Sequence, residues 1–337
     1  MCSAIGTEYE LTRRVDGRWV RGVITGVGAA VRQLSVDGVE LTPGFDDPGP
    51  PPFYSGKVLI PWPNRVREGR WTHDGDALQL DITDPRYGTA LHGLLCNIAH
   101  SPIERSDSSI TLGAPVPPQP GYPFHLETEV RYQLTADGLA TTHAVRNAGS
   151  CCAPVAIGAH PFLAIGDVPA ETLLLTVDGE QHIDVDKQLI PVGVTAVAGT
   201  EWDLRDGRRI ADLDLDDCWS VRPGPKGDSI HTLRAPDGRT VSLWADEHFG
   251  FVHVFITREY PRNGGLVTAV ALEPMTAQAN ALGAGVGMRW LQPGETLFAS
   301  WAIRYADGDG GHRRTACDTR SSRRGWGEQP DGLRQGN

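Results

Sequence analysis

The chain reads as all-β, many short strands joined by turns. Three observations lead there. The 337 residues include 40 Gly and 25 Pro, a composition rich in turn formers. Long helical periodicities are hard to find, while short runs that alternate apolar and polar residues recur. Asp-Gly pairs split several of these runs, at Asp37-Gly38, Asp74-Gly75, Asp137-Gly138 and Asp237-Gly238, and each is a hairpin signal.

The totals narrow the function classes. A chain of this length can build one large core, and all-β architectures often run past about 250 residues as one domain. We expect a single domain over 1–306. From 307 to 337 the sequence is poor in hydrophobes and rich in Gly, Arg, Ser and Asp, as in D-G-D-G-G-H-R-R-T. This segment reads as a disordered tail. The formal net charge is -11, spread along the chain; without a basic stripe it argues against nucleic acid. No run approaches the ~18 apolar residues of a membrane span. The first residues, M-C-S-A-I-G-T-E-Y-E, lack a basic stretch followed by an apolar one, so no secretory signal is read. Cys2, Cys96, Cys151, Cys152, Cys218 and Cys317 contain no C-x-x-C spacing, which fits a reducing cytoplasm better than a disulfide framework.

Taken in order, residues 8–45 read as short strands with turns at Gly26, Gly28 and Asp37-Gly38. The G-V-G-A-A run has no following helix and no G-x-G-x-x-G frame, so a nucleotide loop is rejected. A long loop at 43–56 leads into V-L-I-P-W-P-N-R-V-R-E-G-R-W, residues 58–71. Pro61 and Pro63 hold their preceding residues extended and present Asn64-Arg65 on a stiff segment. A guanidinium there offers a planar fork of donors to a carboxylate or a polyhydroxylated ligand. Residues 71–82 read as a hairpin, and His92-Gly93 falls at a loop end in A-L-H-G-L. Two alternating strands, 125–134 and 139–147, flank Asp137-Gly138.

The run A-P-V-A-I-G-A-H-P-F occupies residues 153–162. Strand parity puts Ala156, Gly158 and His160 on one face, with room beside the imidazole for something other than a side chain. Asp216 lies in L-D-L-D-D-C-W-S-V, and F-G-F-V-H-V-F-I-T at 249–257 is a strongly apolar strand. In G-L-V-T-A-V-A-L-E, Val267, Ala269, Ala271 and Glu273 share a face that a carboxylate closes ahead of Pro274. A buried Glu is costly unless paired or used. Residues 275–286 read as a loop and 296–305 as the last strand.

The candidates are therefore Asn64, Arg65, His92, His160, Asp216 and Glu273, each at a turn or strand end. A carboxylate and imidazoles around a neutral polar ligand make an acid–base site that needs no cofactor. The same residues could hold a metal, but no H-x-H or H-x-x-x-H spacing supports it, and no metal is expected. No G-x-S-x-G or Cys/His signature points to a nucleophile.

The runs P-W-P-N-R-V-R-E-G-R-W, L-H-G-L, A-I-G-A-H-P-F-L, L-D-D-C-W and L-E-P-M-T-A-Q-A-N-A-L, together and in this order, resemble the aldose 1-epimerase (galactose mutarotase) family, and its bacterial branch in particular. The resemblance spans about residues 20–305 and implies a large antiparallel β-sandwich, the galactose mutarotase-like supersandwich. It implies interconversion of the α and β anomers of a free aldohexose of glucose or galactose type. By the same resemblance Glu273 is the general base on the C1 hydroxyl and His160 the general acid on the ring oxygen. His92, Arg65, Asp216 and Asn64 would bind the sugar. Asp217 stands where the family often has a His, and the loop after Glu273 varies.

Other readings compete with this one. A hexose-6-phosphate 1-epimerase would need further cations near the pocket, for which Arg67 is available. A non-catalytic carbohydrate-binding or sensor protein could use the same fold but would need no acid–base pair. A metal-dependent isomerase would be EDTA-sensitive. The partner expected is a small-molecule sugar, with no nucleic acid and no membrane, and the protein a monomer or homodimer. Trp62, Phe162 and Trp219 could stack on a sugar face or belong to the core.

Overall fold

The computed structural model describes residues 4–45 and 49–308. Most of the expected tail, from 309 onward, and part of the 43–56 loop lie outside the described residues. The architecture is antiparallel sheet almost throughout. A nine-stranded sheet runs, from edge to edge, through Ser101–Arg105, Ser109–Val116, Leu126–Leu134, Gly138–Asn147, Thr296–Ala306, Thr240–Ala245, Ser229–Arg234, Leu174–Thr176 and Arg208–Arg209. An eight-stranded sheet runs through Pro191–Ala196, Gly179–Val185, Asp216–Val221, Phe251–Arg262, Gly265–Met275, Gly158–Ala159 and Val58–Leu59, with Phe162–Leu163 also paired to Gly265–Met275. The N-terminal strands Glu8–Val15, Arg18–Thr25, Val31–Val36 and Val39–Glu40 form a third sheet.

Side-chain alternation decides what each face does. In Phe251–Arg262, Val252, Val254 and Ile256 enter the main core, and Val270 and Leu272 of the neighbouring strand do the same. They share that core with Leu112, Val130, Val145 and Trp301 of the nine-stranded sheet. The remaining face of the eight-stranded sheet carries Phe251, His253 and Phe255 beside Ala271, Glu273 and Met275. Here the alternation places ionisable side chains in an otherwise apolar setting.

The hairpins at Asp74-Gly75 and Asp137-Gly138 occur where the sequence puts them, between Arg70–His73 and Asp76–Gln79 and between Leu126–Leu134 and Gly138–Asn147. Two local expectations differ. The strand carrying Glu273 continues through Pro274 to Met275, and the loop after it holds a short helix, Ala281–Ala284.

Candidate active site

Three adjacent strands build the floor. His253 is the register partner of Glu273 on one side and of Cys218 on the other. Two residues before Cys218, on the same face, is Asp216, whose Oδ1 lies 2.8 Å from His253 Nε2. Glu273 is 1% exposed, so its carboxyl is inside the protein rather than in solvent.

The segment over 158–163 brings the second titratable group. His160 Nε2 lies 3.2 Å from Glu273 Oε1. His160 sits between the short strands Gly158–Ala159 and Phe162–Leu163, its amide donating to the Lys57 carbonyl. The room expected beside it is taken: a Cβ on Gly158 would come within 2.6 Å of Pro63 Cβ, so the glycine lets the 58–67 segment pack against this strand. The imidazole instead stacks on Phe162, with centroids 5.4 Å apart, and meets His92 edge-on at 5.3 Å. Tyr54 closes the far side of both histidines.

Asn64 and His92 are locked to each other. Both adopt positive φ, 56° and 62°. The Asn64 amide donates to His92 Nδ1 at 3.2 Å, and the His92 amide donates to the Asn64 carbonyl at 2.9 Å. With Nδ1 accepting, the proton of the neutral ring is on Nε2. Gly93 is required beside it, because with φ 70° a Cβ would fall 2.3 Å from the Ile60 carbonyl oxygen.

Arg65 follows Asn64 and is 9% exposed. Its Nε lies 3.3 Å from Asp84 Oδ2, its Nη2 lies 3.7 Å from Asp216 Oδ2, and its guanidinium covers the Tyr87 ring at 4.8 Å. Arg67 turns outward to Asp186 at 2.6 Å and Gln188 at 3.0 Å. Asn280, from the motif after Glu273, donates its amide to the Arg65 carbonyl and accepts from the Arg67 amide through Oδ1 at 2.9 Å. Thr276 exchanges bonds with Ile157. The varied loop thus clamps the Arg65 and His160 segments to the Glu273 strand.

Burial controls the charge states. It raises the Glu273 carboxyl to about 7, against the opposing pull of the His253 charge. It lowers the His160 imidazole to about 3, aided by the positive charge of His253. His92 is also held well below its usual value, first by burial and then by the neighbouring cations. Burial thus favours a neutral imidazole at His160 and a Glu273 carboxyl that holds its proton up to about 7, since neutral groups are cheaper than charges in a dry site. Glu273 Oε2 and His160 Nδ1 are buried with no protein partner, a cost of about 1–3 kcal/mol each that structural packing alone does not explain.

The six residues singled out in the sequence converge on this one region. Four further contributors were not singled out: His253, Asp84, Tyr54 and Tyr87. The signal for His253 was a lone imidazole in an apolar strand; the others come from loops with no periodicity to read. Trp62, Phe162 and Trp219 are buried, at 3%, 1% and 0% exposure, and belong to the interior. Asp217 points to the other face of its strand, where its Oδ1 lies 3.0 Å from His182 Nε2.

No helix of the described residues is long and apolar enough to cross a membrane. The aldose 1-epimerase family matches residues 16–303. The uncharacterized protein YihR of Escherichia coli (strain K12) is 30% identical over 281 residues, covering 81% of this chain and 86% of that protein. Galactose mutarotase of Rattus norvegicus is 29% identical over 159 residues, 45% of each chain. Among solved structures, the GalM/aldose epimerase homologue of C. elegans superposes with a TM-score of 0.75 at 15% identity, covering 89% of this chain and 99% of that one. Galactose 1-epimerase of Lactobacillus acidophilus NCFM gives 0.69 at 18%, covering 90% and 99%. The extent of the family match, the YihR likeness and the shared fold agree with the motifs and their order: this chain belongs to the aldose 1-epimerase family.

Proposed function

We propose that the protein is an aldose 1-epimerase acting on a free aldohexose of glucose or galactose type, in the cytoplasm, as a monomer or homodimer and without a cofactor. The observation that carries the reading is the buried His160–Glu273 pair, 3.2 Å apart. A buried acid–base couple is what anomer interconversion needs.

Glu273, ionised when the imidazole holds the proton, takes the C1 hydroxyl proton. His160 gives its proton to the ring oxygen as the C1–O5 bond breaks and the C1 aldehyde forms. That leaves a protonated carboxyl and a neutral imidazole, the arrangement burial favours. Rotation about C1–C2 offers the other face of the aldehyde to the C5 hydroxyl. On reclosure His160 takes the C5 hydroxyl proton and Glu273 returns its own to the oxygen on C1, so both groups end as they began. The Nε2–H of His92 is suited to donate to a sugar oxygen, and Arg65, Asn64 and Asp216 to hold hydroxyls.

A free sugar is favoured over a phosphorylated one because Arg65 and Arg67 are already engaged. Arg65 faces Asp84 and Asp216, and Arg67 faces Asp186. Polarimetry of freshly dissolved α-glucose and α-galactose tests the reading. Accelerated mutarotation, lost in His160→Ala, is the expected result. Folded protein that accelerates neither sugar but turns over a hexose 6-phosphate would move the assignment to the phosphosugar.

A further inference from the structure

His253 takes no part in the proton exchange just described, yet it is buried between both carboxylates of the site. Register partners on antiparallel strands project from one face, with Cβ atoms about 4.5–5.5 Å apart. His253 therefore faces Glu273 from one side and Cys218 from the other. Its Nε2 must carry a hydrogen to meet Asp216 Oδ1 at 2.8 Å, and its Nδ1 is buried.

The groups around it set its charge. Asp216 and Cys218 face it from Asp216–Val221 and Glu273 from Gly265–Met275; Arg65 reaches the same Asp216, and the His253 charge acts on His160 and His92. Of these, Asp216 supplies negative charge, Glu273 adds to it when ionised, and Arg65 supplies positive charge that it already shares with Asp84. A second cation is needed to balance the site. Burial opposes a charged ring, but the bond to Asp216, the Cys218 contact and the fields of both carboxylates outweigh it and hold His253 well above its ordinary value. Asp216 is correspondingly held down, burial raising it and the His253 bond more than reversing that.

We infer that His253 is a positioning residue: a standing imidazolium that fixes Asp216 at the pocket wall and, facing Glu273 across the sheet, weakens the hold of the His160–Glu273 pair on its proton. Its part in catalysis rests on the epimerase reading, while its charge and its effect on Glu273 do not. Without His253 the pair would hold the proton too tightly to exchange it at neutral pH, and Asp216 would be left to Arg65 alone.

The test reads protonation directly and needs no turnover. In wild-type protein the C=O infrared band of protonated Glu273, assigned by its absence in Glu273→Gln, should disappear as pH passes about 7. In His253→Gln it should persist about one to three pH units higher, the usual effect of removing a close opposite charge. The same displacement should appear in the alkaline limb of kcat/KM, with KM raised as Asp216 loosens. A folded His253→Gln protein whose band titrates as in wild type overturns the inference. Where that variant does not fold, side-chain NMR of the wild type decides. His253 should keep both ring protons above neutral pH, and a neutral ring there overturns the inference equally. Absent mutarotation with the band displaced would fault the epimerase reading and leave this one standing.

Discussion

Replacing Glu273 by Gln should remove activity while making the protein relatively more stable in alkali. Gln has nearly the same volume, so the contact with His160 can persist, but an amide accepts no proton. A positioned general base contributes about 10²–10⁴-fold in rate, or about 3–5 kcal/mol of barrier. The stability change follows from burial. The folded carboxyl ionises at about 7 instead of its usual 4.5. A raised acid is a liability above its unfolded value, because the unfolded chain gains ionisation that the folded protein resists. That liability begins near the unfolded value and is complete once pH exceeds the folded one. At about 1.4 kcal/mol per pH unit it amounts to at most about 3 kcal/mol. Denaturant unfolding of both proteins between about pH 5 and about pH 8 should therefore show the difference moving toward Gln by up to that amount. Polarimetry on the same samples should show the loss of rate. Near-normal turnover would refute the base assignment, and a stability difference that stays flat with pH would refute the burial argument behind it.

Three further outcomes follow from the same geometry. The kcat/KM profile should fall as pH rises through about 7, where the His160–Glu273 pair loses its proton. It should fall again only toward about 3, where His160 takes up a second; a rate that climbs through neutrality would contradict the shared-proton account. Arg65→Lys should raise KM about tenfold with a smaller change in kcat, because an ammonium cannot span Asp84 and Asp216 together; steady-state kinetics with unchanged KM would remove Arg65 from substrate binding. Gly93→Ala should cost more than about 1 kcal/mol in denaturant unfolding and depress activity by displacing His92, since its Cβ would meet the Ile60 carbonyl. Wild-type stability there would mean that the turn is softer than its geometry implies.

The parts of the site that were legible are those that break a local rule. A carboxylate closing an apolar strand face marked Glu273, a histidine held before a proline marked His160, and a polar pair on a doubly proline-stiffened segment marked Asn64 and Arg65. Each is visible within about ten residues of chain, the range over which strand parity and proline restrictions act. His253 broke the same kind of rule, a charged type in an apolar strand, but its partners lie on other strands. Nothing local distinguishes it from a histidine packed in a core.

The all-β class, the main hairpins, the six candidate residues and, through five motifs in order, the family were legible in the linear chain. These rest on turn chemistry, on side-chain alternation and on residue types that tolerate few settings. Which groups meet was set by the packing of the strands. The register that sets His253 against Glu273 and Cys218, the Pro63 contact that fills the space beside Gly158, and the burial that raises the Glu273 carboxyl all depend on segments far apart in the chain. Charge state is a property of surroundings rather than of residue type, so the protonation of the site could be known only once the strands were packed.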